Sequence, residues 1–356
     1  MDKIAELLKT LTEAPGVSGY ETPIRKIVEK ELAGLGQLSL DKLGSVICNK
    51  KGSASDPKIM LSGHMDEIGF MVKFITDDGF IKFLPLGGWF SQVLLGQRVS
   101  IHTHKGKVTG VIGIKPPHLM SKEDRERVVT LKEMYIDIGA VNRQEMDEAG
   151  VRIGDPIIPM ADFQVLSNGK SYLSKAFDDR VGVALIISTL KALQSEDHPN
   201  TVYGAATVLE ETYLGGAQTC AEVIKPDVAI ILESGIAGDV PGVKPEESPV
   251  KLGGGPNMLV FDSRMIPNLK LRDLVLDTAT ELSIPVQLST MEGGATDGGK
   301  IHLSGSGVPT VVIGVAARHI HSHSSIMHHN DYVMTNDLIT TLIKKLDKDT
   351  VAKLTQ

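Results

Sequence analysis

Cysteine is nearly absent from this chain. Its 356 residues hold two, Cys48 and Cys220, without CxxC spacing. That usage excludes a disulfide framework and a thiolate zinc site, and it fits a reducing, cytoplasmic compartment. Aromatic residues make up 4%, with Trp89 the single tryptophan, so few side chains are available to stack on sugar rings. Long uncharged apolar runs are missing too. None approaches the roughly 20 residues of a membrane-spanning helix, and no membrane partner is expected. A formal net charge of -7 argues against a nucleic-acid partner held through phosphate contacts. What is present is globular in character: 42% hydrophobic, 23% charged, and 36 glycines spread along the chain rather than gathered in a linker. Such a length buries a substantial core as one large domain or two ordinary ones.

The stretch Thr201 to Gly216, TVYGAATVLEETYLGG, organises the rest. Thr201 to Leu209 is small, β-branched and apolar, the pattern of a strand buried on both faces. Glu210 and Glu211 follow, and Gly215 and Gly216 open an amphipathic segment. Two carboxylates at the carboxyl end of a buried strand stand where open α/β sheets place their chemistry, and each is free to take its own task. Elsewhere, MDKIAELLKTLTEA spaces Ile4, Leu7, Leu8 and Leu11 as an amphipathic helix rather than a signal sequence. A second helix is expected from Thr22 and Pro23 onward.

From about Phe70 to Pro159 helical periodicity disappears. The runs GFIKFLPL, RVSIHTH and GKVTGVIGI are separated by Asp-Gly, Gly-Gly and Lys-Gly turns, which reads as a small β-barrel-like module. Residues 121–127, SKEDRER, read as a surface loop. The expected fold is therefore α/β, a mixed, largely parallel sheet flanked by helices and built from residues 1–69 and 160–356, with residues 70–159 inserted as a β-rich unit.

Several strands run out into ligand-type residues. Lys58 to Ser62 leads to His64, with Asp66 two residues on and so placed to fix its tautomer. Asp227 to Leu232 ends in Glu233, and Val308 to Val315 leads to His321. Asp178 and Asp179 precede a strongly apolar helix, where N-capping accounts for one aspartate better than for two. Strands of one parallel sheet bring all these groups to one edge. A site of His, Asp and Glu without cysteine suits one or two divalent ions of the zinc, cobalt or manganese kind.

The motifs GHMDEIGFMV, GGWFSQ, KAFDDRVG, LEETYLGGA, GIAGDVPG, ATDGG and ARHIHSH, in this order, resemble the M42 metallo-aminopeptidases, a family that includes glutamyl aminopeptidase and the tetrahedral TET peptidases. The resemblance covers nearly the whole chain. It implies a zinc-peptidase-like catalytic domain, an inserted domain used for dimerisation and assembly, and dimers joined in a tetrahedral dodecamer. It also implies two divalent metal ions per subunit held by His64, Asp178, Glu211, Glu233 and His321, with Asp178 bridging. Glu210 then matches the general base, Asp66 the carboxylate behind His64, and short peptides the substrates. By analogy with glutamyl aminopeptidase, acidic N-terminal residues are the expected preference, and the charges of Lys300 and Arg318 are candidate partners for such a side chain. Glu233 stands where the family commonly has Asp, EETYLGG replaces Glu-Glu-Val-Gly-Leu-Arg-Gly, and His319 replaces a tyrosine. Those departures keep two other readings open: a deblocking or acylaminoacyl hydrolase, and a non-enzymatic assembly protein with a drifted corner.

Overall fold

A computed structural model describes residues 1–355. Its main sheet has 11 strands, with four parallel ones at its centre: Thr201–Thr207, Lys58–His64, Val228–Ile236 and Thr310–Arg318. Antiparallel strands Val46–Lys51 and Ser325–His328 flank them. Alternation of the central strands explains their continuous apolar runs. Ile59, Leu61, Ile230, Leu232, Val311 and Ile313 face one core, whereas Met60, Ala229, Ile231 and Val312 face the other. Helices Lys3–Glu13, Thr22–Leu32, Phe177–Ala192, Leu269–Glu281 and His329–Lys345 cover the first face. Gly215–Ile224 and Gly298–Ile301 cover the second.

Register sets the level of the site. Thr207 pairs with His64, and Ile231 with Ser62, so Glu233 comes level with His64. The Phe177–Ala192 helix lies so close to the Lys58–His64 strand that a Cβ on Gly63 would meet the Gly182 backbone at 2.8 Å. Only glycine permits that approach.

Six antiparallel strands form a separate closed barrel in the order Gly69–Ile75, Phe80–Leu86, Tyr135–Asp137, Gly106–Gly113, Arg98–Thr103 and Pro156–Pro159. Phe70, Val72, Ile81, Val99, Ile101 and Ile136 fill it. The stretch expected as a surface loop contains a helical turn, Lys122–Glu126, because the Ser121 hydroxyl accepts from Asp124 N. Its side chains are exposed or half-buried, as the loop reading required.

Beneath the strand ends lies a buried ion pair. Lys175 Nζ donates to both oxygens of Glu67 at 2.7 and 2.6 Å, with both residues at most 3% exposed. Arg180 lies 3.7 Å from Glu67 and donates to the carbonyls of Leu11, Ala14 and Gly16. The pair ties the turn after His64 to the turn before Asp178. Lys175→Met, which leaves Glu67 with only the more distant Arg180, is expected to cost about 3 kcal/mol in urea unfolding, and Lys175→Met/Glu67→Leu to recover most of that loss. A double variant no more stable than the single one would rule out a compensated ion pair.

Candidate metal centre

Four strand ends and one helix start converge on a cavity of about 1080 Å³ lined by His64, Asp178, Glu210, Glu211, Glu233 and His321 among others. His64 donates through Nδ1 to the Asp66 carbonyl at 3.0 Å, so Nε2 turns to the centre. That atom lies 3.1 Å from Asp178 Oδ1, 3.7 Å from Glu210 Oε2 and 3.9 Å from Glu233 Oε1. His321 repeats the arrangement from the opposite side. Its Nδ1 donates to the Gly88 carbonyl at 2.7 Å, and its Nε2 lies 3.2 Å from Asp178 Oδ2 and 3.6 Å from Glu211 Oε2. Asp178 is thus held between two imidazoles, one on each oxygen.

Asp66 does two jobs with different atoms. Its carbonyl fixes the His64 ring, while its carboxylate, 3.5 Å from Nδ1, accepts from Glu210 N at 3.0 Å, Glu211 N at 3.1 Å and the Ser18 hydroxyl at 2.5 Å. Glu21 Oε1 accepts from the preceding amide, Leu209 N, at 3.2 Å. Leu209 has a φ of 61°, a conformation unfavourable for a branched side chain, and these carboxylates hold the turn that presents Glu210 and Glu211.

The aspartate pair divides as the capping argument suggests. Asp179 Oδ1 accepts from Gly182 N at 2.9 Å within the helix start, and its Oδ2 accepts from His64 N at 3.0 Å, whereas Asp178 enters the centre. Beyond capping for one member of the aspartate pair, sequence reasoning gave no task to Asp179, and none to Glu21, Ser18 or Asp297. Asp297 is buried below the sheet edge, accepting from Ser62 Oγ at 2.9 Å and Thr207 Oγ1 at 2.6 Å. The Ala295–Gly299 motif was its only signal. Arg318 is not available to the cavity, because its guanidinium forms a two-armed pair with Asp239.

Crowded carboxylates dominate the electrostatics. Burial, then the neighbouring Asp178, pushes the Glu211 carboxyl up to about 8. Burial likewise carries Glu233 to about 8 and Glu210 well above the ordinary range. For His321 burial disfavours the charge, but Asp178 and Glu211 outweigh it and raise the imidazole to about 9. For Asp178 burial is outweighed by His321 and His64, which hold its carboxyl low.

This donor set fits divalent cations. His64, Glu210 and Glu233 form one triad and His64, Asp178 and Glu211 another, the donor atoms of each lying within 4.8 Å of one another. Glu211 Oε1 is buried without a hydrogen-bond partner, an atom in need of a positive neighbour. Imidazole and carboxylate without thiolate match zinc, cobalt or manganese.

Metal removal therefore has a pH signature. Between pH 6.5 and 9 the metal-free fold retains protons on Glu211, Glu233 and His321 that the unfolded chain has released or is releasing. The folded state binds more protons, so its stability falls as pH rises through that window. The melting temperature of chelator-stripped protein should decline from pH 6.5 to 9, and the gain on adding zinc should grow. A stripped protein that becomes more stable across this range would contradict the charge arrangement.

Comparison with known proteins identifies the family. The M42 glutamyl aminopeptidase profile matches residues 44–338. The chain is 34% identical to the glutamyl aminopeptidase of Lactococcus lactis subsp. cremoris (strain MG1363), covering 99% of each. It superposes with a TM-score of 0.97 and 47% identity on the TET aminopeptidase from the marine sediment archaeon Thaumarchaeota archaeon SCGC AB-539-E09, again covering 99% of each chain. With the Pyrococcus horikoshii TET1 peptidase, which can assemble into a tetrahedron or a large octahedral shell, the TM-score is 0.87 and the identity 32%, over 97% of this chain and 100% of that one. The chain belongs to the M42 family of aminopeptidases and is a peptidase.

Proposed function

We propose that the protein removes N-terminal residues from short peptides in the cytoplasm, with His64, Asp178, Glu211, Glu233 and His321 holding two divalent ions. The observation that carries this reading is Asp178, each of whose oxygens faces a different imidazole. Divalent ions held by these residues would supply Lewis acidity toward the first peptide carbonyl and would lower the pKa of water. Glu210 is the proton carrier: it takes a proton at its carboxylate as water attacks, and returns it to the leaving amine. Burial, and after it the nearby Glu233 and Glu211 carboxylates, raise its carboxyl above the ordinary range, which strengthens the carboxylate as an acceptor for the water proton. Asp66 and Glu21 hold the backbone on which Glu210 sits. Carboxylates around the centre attract a free α-amino group, which restricts cleavage to the peptide's first residue.

Two cations, Arg264 and Lys300, line the same cavity, and among the described residues neither has a carboxylate within ion-pair distance. Glu246, Glu247 and Glu292 line it as well, but they are exposed, whereas Lys300 is half-buried, where a charge interaction is less screened. This favours Glu or Asp as the first residue. Residues 70–159 are proposed as the dimerisation and assembly unit of a tetrahedral dodecamer. In support, Leu119, Val141 and Ile153 within this segment are 68%, 72% and 66% exposed.

Glu210→Gln should lower kcat by roughly 10²–10⁴-fold while metal content stays at the wild-type value; full activity would remove Glu210 from the mechanism. Lys300→Glu should shift the kcat/KM ratio for Glu-first over Leu-first peptides down by about tenfold or more, a change of about 1.4 kcal/mol in relative barrier. An unchanged ratio would exclude Lys300 from selectivity. The panel should include acetylated peptides, since cleavage confined to blocked N-termini would assign the chain to deblocking instead.

A further inference from the structure

The two halves of the centre are built differently. His64 and Glu233 stand on the sheet, 1% and 7% exposed. His321 lies in the loop beyond Arg318, with a φ of 55° and a side chain 39% exposed. Its ring is oriented by one carbonyl, that of Gly88, which belongs to the barrel loop following Phe80–Leu86.

This loop fits closely against the Glu211 and His321 half. A Cβ on Gly87, whose φ is +85°, would lie 3.0 Å from Glu211 Oε2; a Cβ on Gly88 would lie 3.1 Å from His321 Nδ1. Trp89 fastens the loop. Its Nε1 donates to the Gly69 carbonyl at 3.0 Å, and its ring stacks on Phe70 with centroids 4.8 Å apart. The ring also meets that of His323 at 5.4 Å, two residues from His321, and both nitrogens of His323 are buried without hydrogen-bond partners. The tryptophan therefore joins the first barrel strand to the loop carrying the exposed imidazole.

We propose that Gly87, Gly88 and Trp89 form a positioning element for the Glu211 and His321 half of the centre, so that the affinity for a second ion is set by the barrel and its binding is reported by Trp89. This rests on the two-ion reading above. A carbonyl that fixes the tautomer and angle of a ligating imidazole is a determinant of metal affinity, and disturbing such a partner costs about 10–100-fold. Gly88 has no positive φ, so a side chain there perturbs the imidazole without straining its own backbone.

The test uses full-length, chelator-stripped protein titrated with zinc and followed by calorimetry and by emission from the single tryptophan. Wild type should take two equivalents in separable steps, with emission changing on the second. Gly88→Val should weaken the second step by at least tenfold and leave the first within about twofold, Gly88→Ala should fall between. Phe90→Ala, whose side chain is 59% exposed on the same loop, should leave both steps as in wild type. Equal weakening of both steps by Gly88→Val, or none, overturns the proposal. So does wild-type emission that follows the first equivalent or does not move, a readout that holds even if the valine variant fails to fold. A wild-type chain that binds fewer than two equivalents overturns the two-ion reading and this inference with it.

Discussion

The accumulation of carboxylates around Asp178 is the constraint on which the rest of this structure depends. Asp178, Asp179, Glu210, Glu211, Glu233 and Asp297 crowd together, and Asp179 and Asp297 are at most 1% exposed. Desolvation penalises each negative charge, and their mutual repulsion adds to it. Two imidazoles partly offset this, each committed to a carbonyl through Nδ1 and to the carboxylates through Nε2. Such a cluster persists only in a scaffold that fixes it from outside, which is why so many buried polar contacts lie just behind it.

Those contacts divide between backbone and charge. Asp66 and Glu21 accept the amides of Leu209, Glu210 and Glu211, converting a strained turn into a rigid platform for the two glutamates. Lys175 and Glu67 tie together the turns that carry Asp66 and Asp178. Neither arrangement touches the cavity centre in the way the imidazoles do. Both convert the stability of the core into the placement of particular oxygens, the kind of support a preorganised site requires.

What was legible in the sequence follows from local pattern. The buried strands announce themselves as apolar runs, and parallel pairing makes their ends coincide, so pattern alone groups His64, Glu210, Glu211 and Glu233. The period-two runs after Phe70 gave the barrel. Contacts between distant segments left no such trace. Ser18 and Glu21 meet Asp66 and Leu209 across 48 and 188 positions, and nothing in GVSGYE marks that use. The spacing of Asp66 points to its carboxylate acting on His64, yet its carbonyl takes the closer place on the ring, because backbone direction at a strand end is not encoded by side-chain type. Arg318 beside the histidines looked available for substrate; its partner Asp239, 79 residues earlier, could not be found by spacing.

The position of the barrel in the chain also has a geometric consequence. It departs at Gly69, five residues beyond His64, from the edge of the sheet where the centre lies. Its first two strands pair antiparallel, with Gly69 opposite Leu86, so the hairpin must bring the chain back to its point of departure. Gly87 and Gly88 therefore return beside the ligand-bearing edge whatever the rest of the barrel does. A small-residue loop is what such a return demands, since larger residues would collide with Ile68, Glu211 and His321. An insertion at this point cannot be indifferent to the site: the same hairpin closure that lets the barrel fold places a carbonyl against the one imidazole that the sheet itself does not hold.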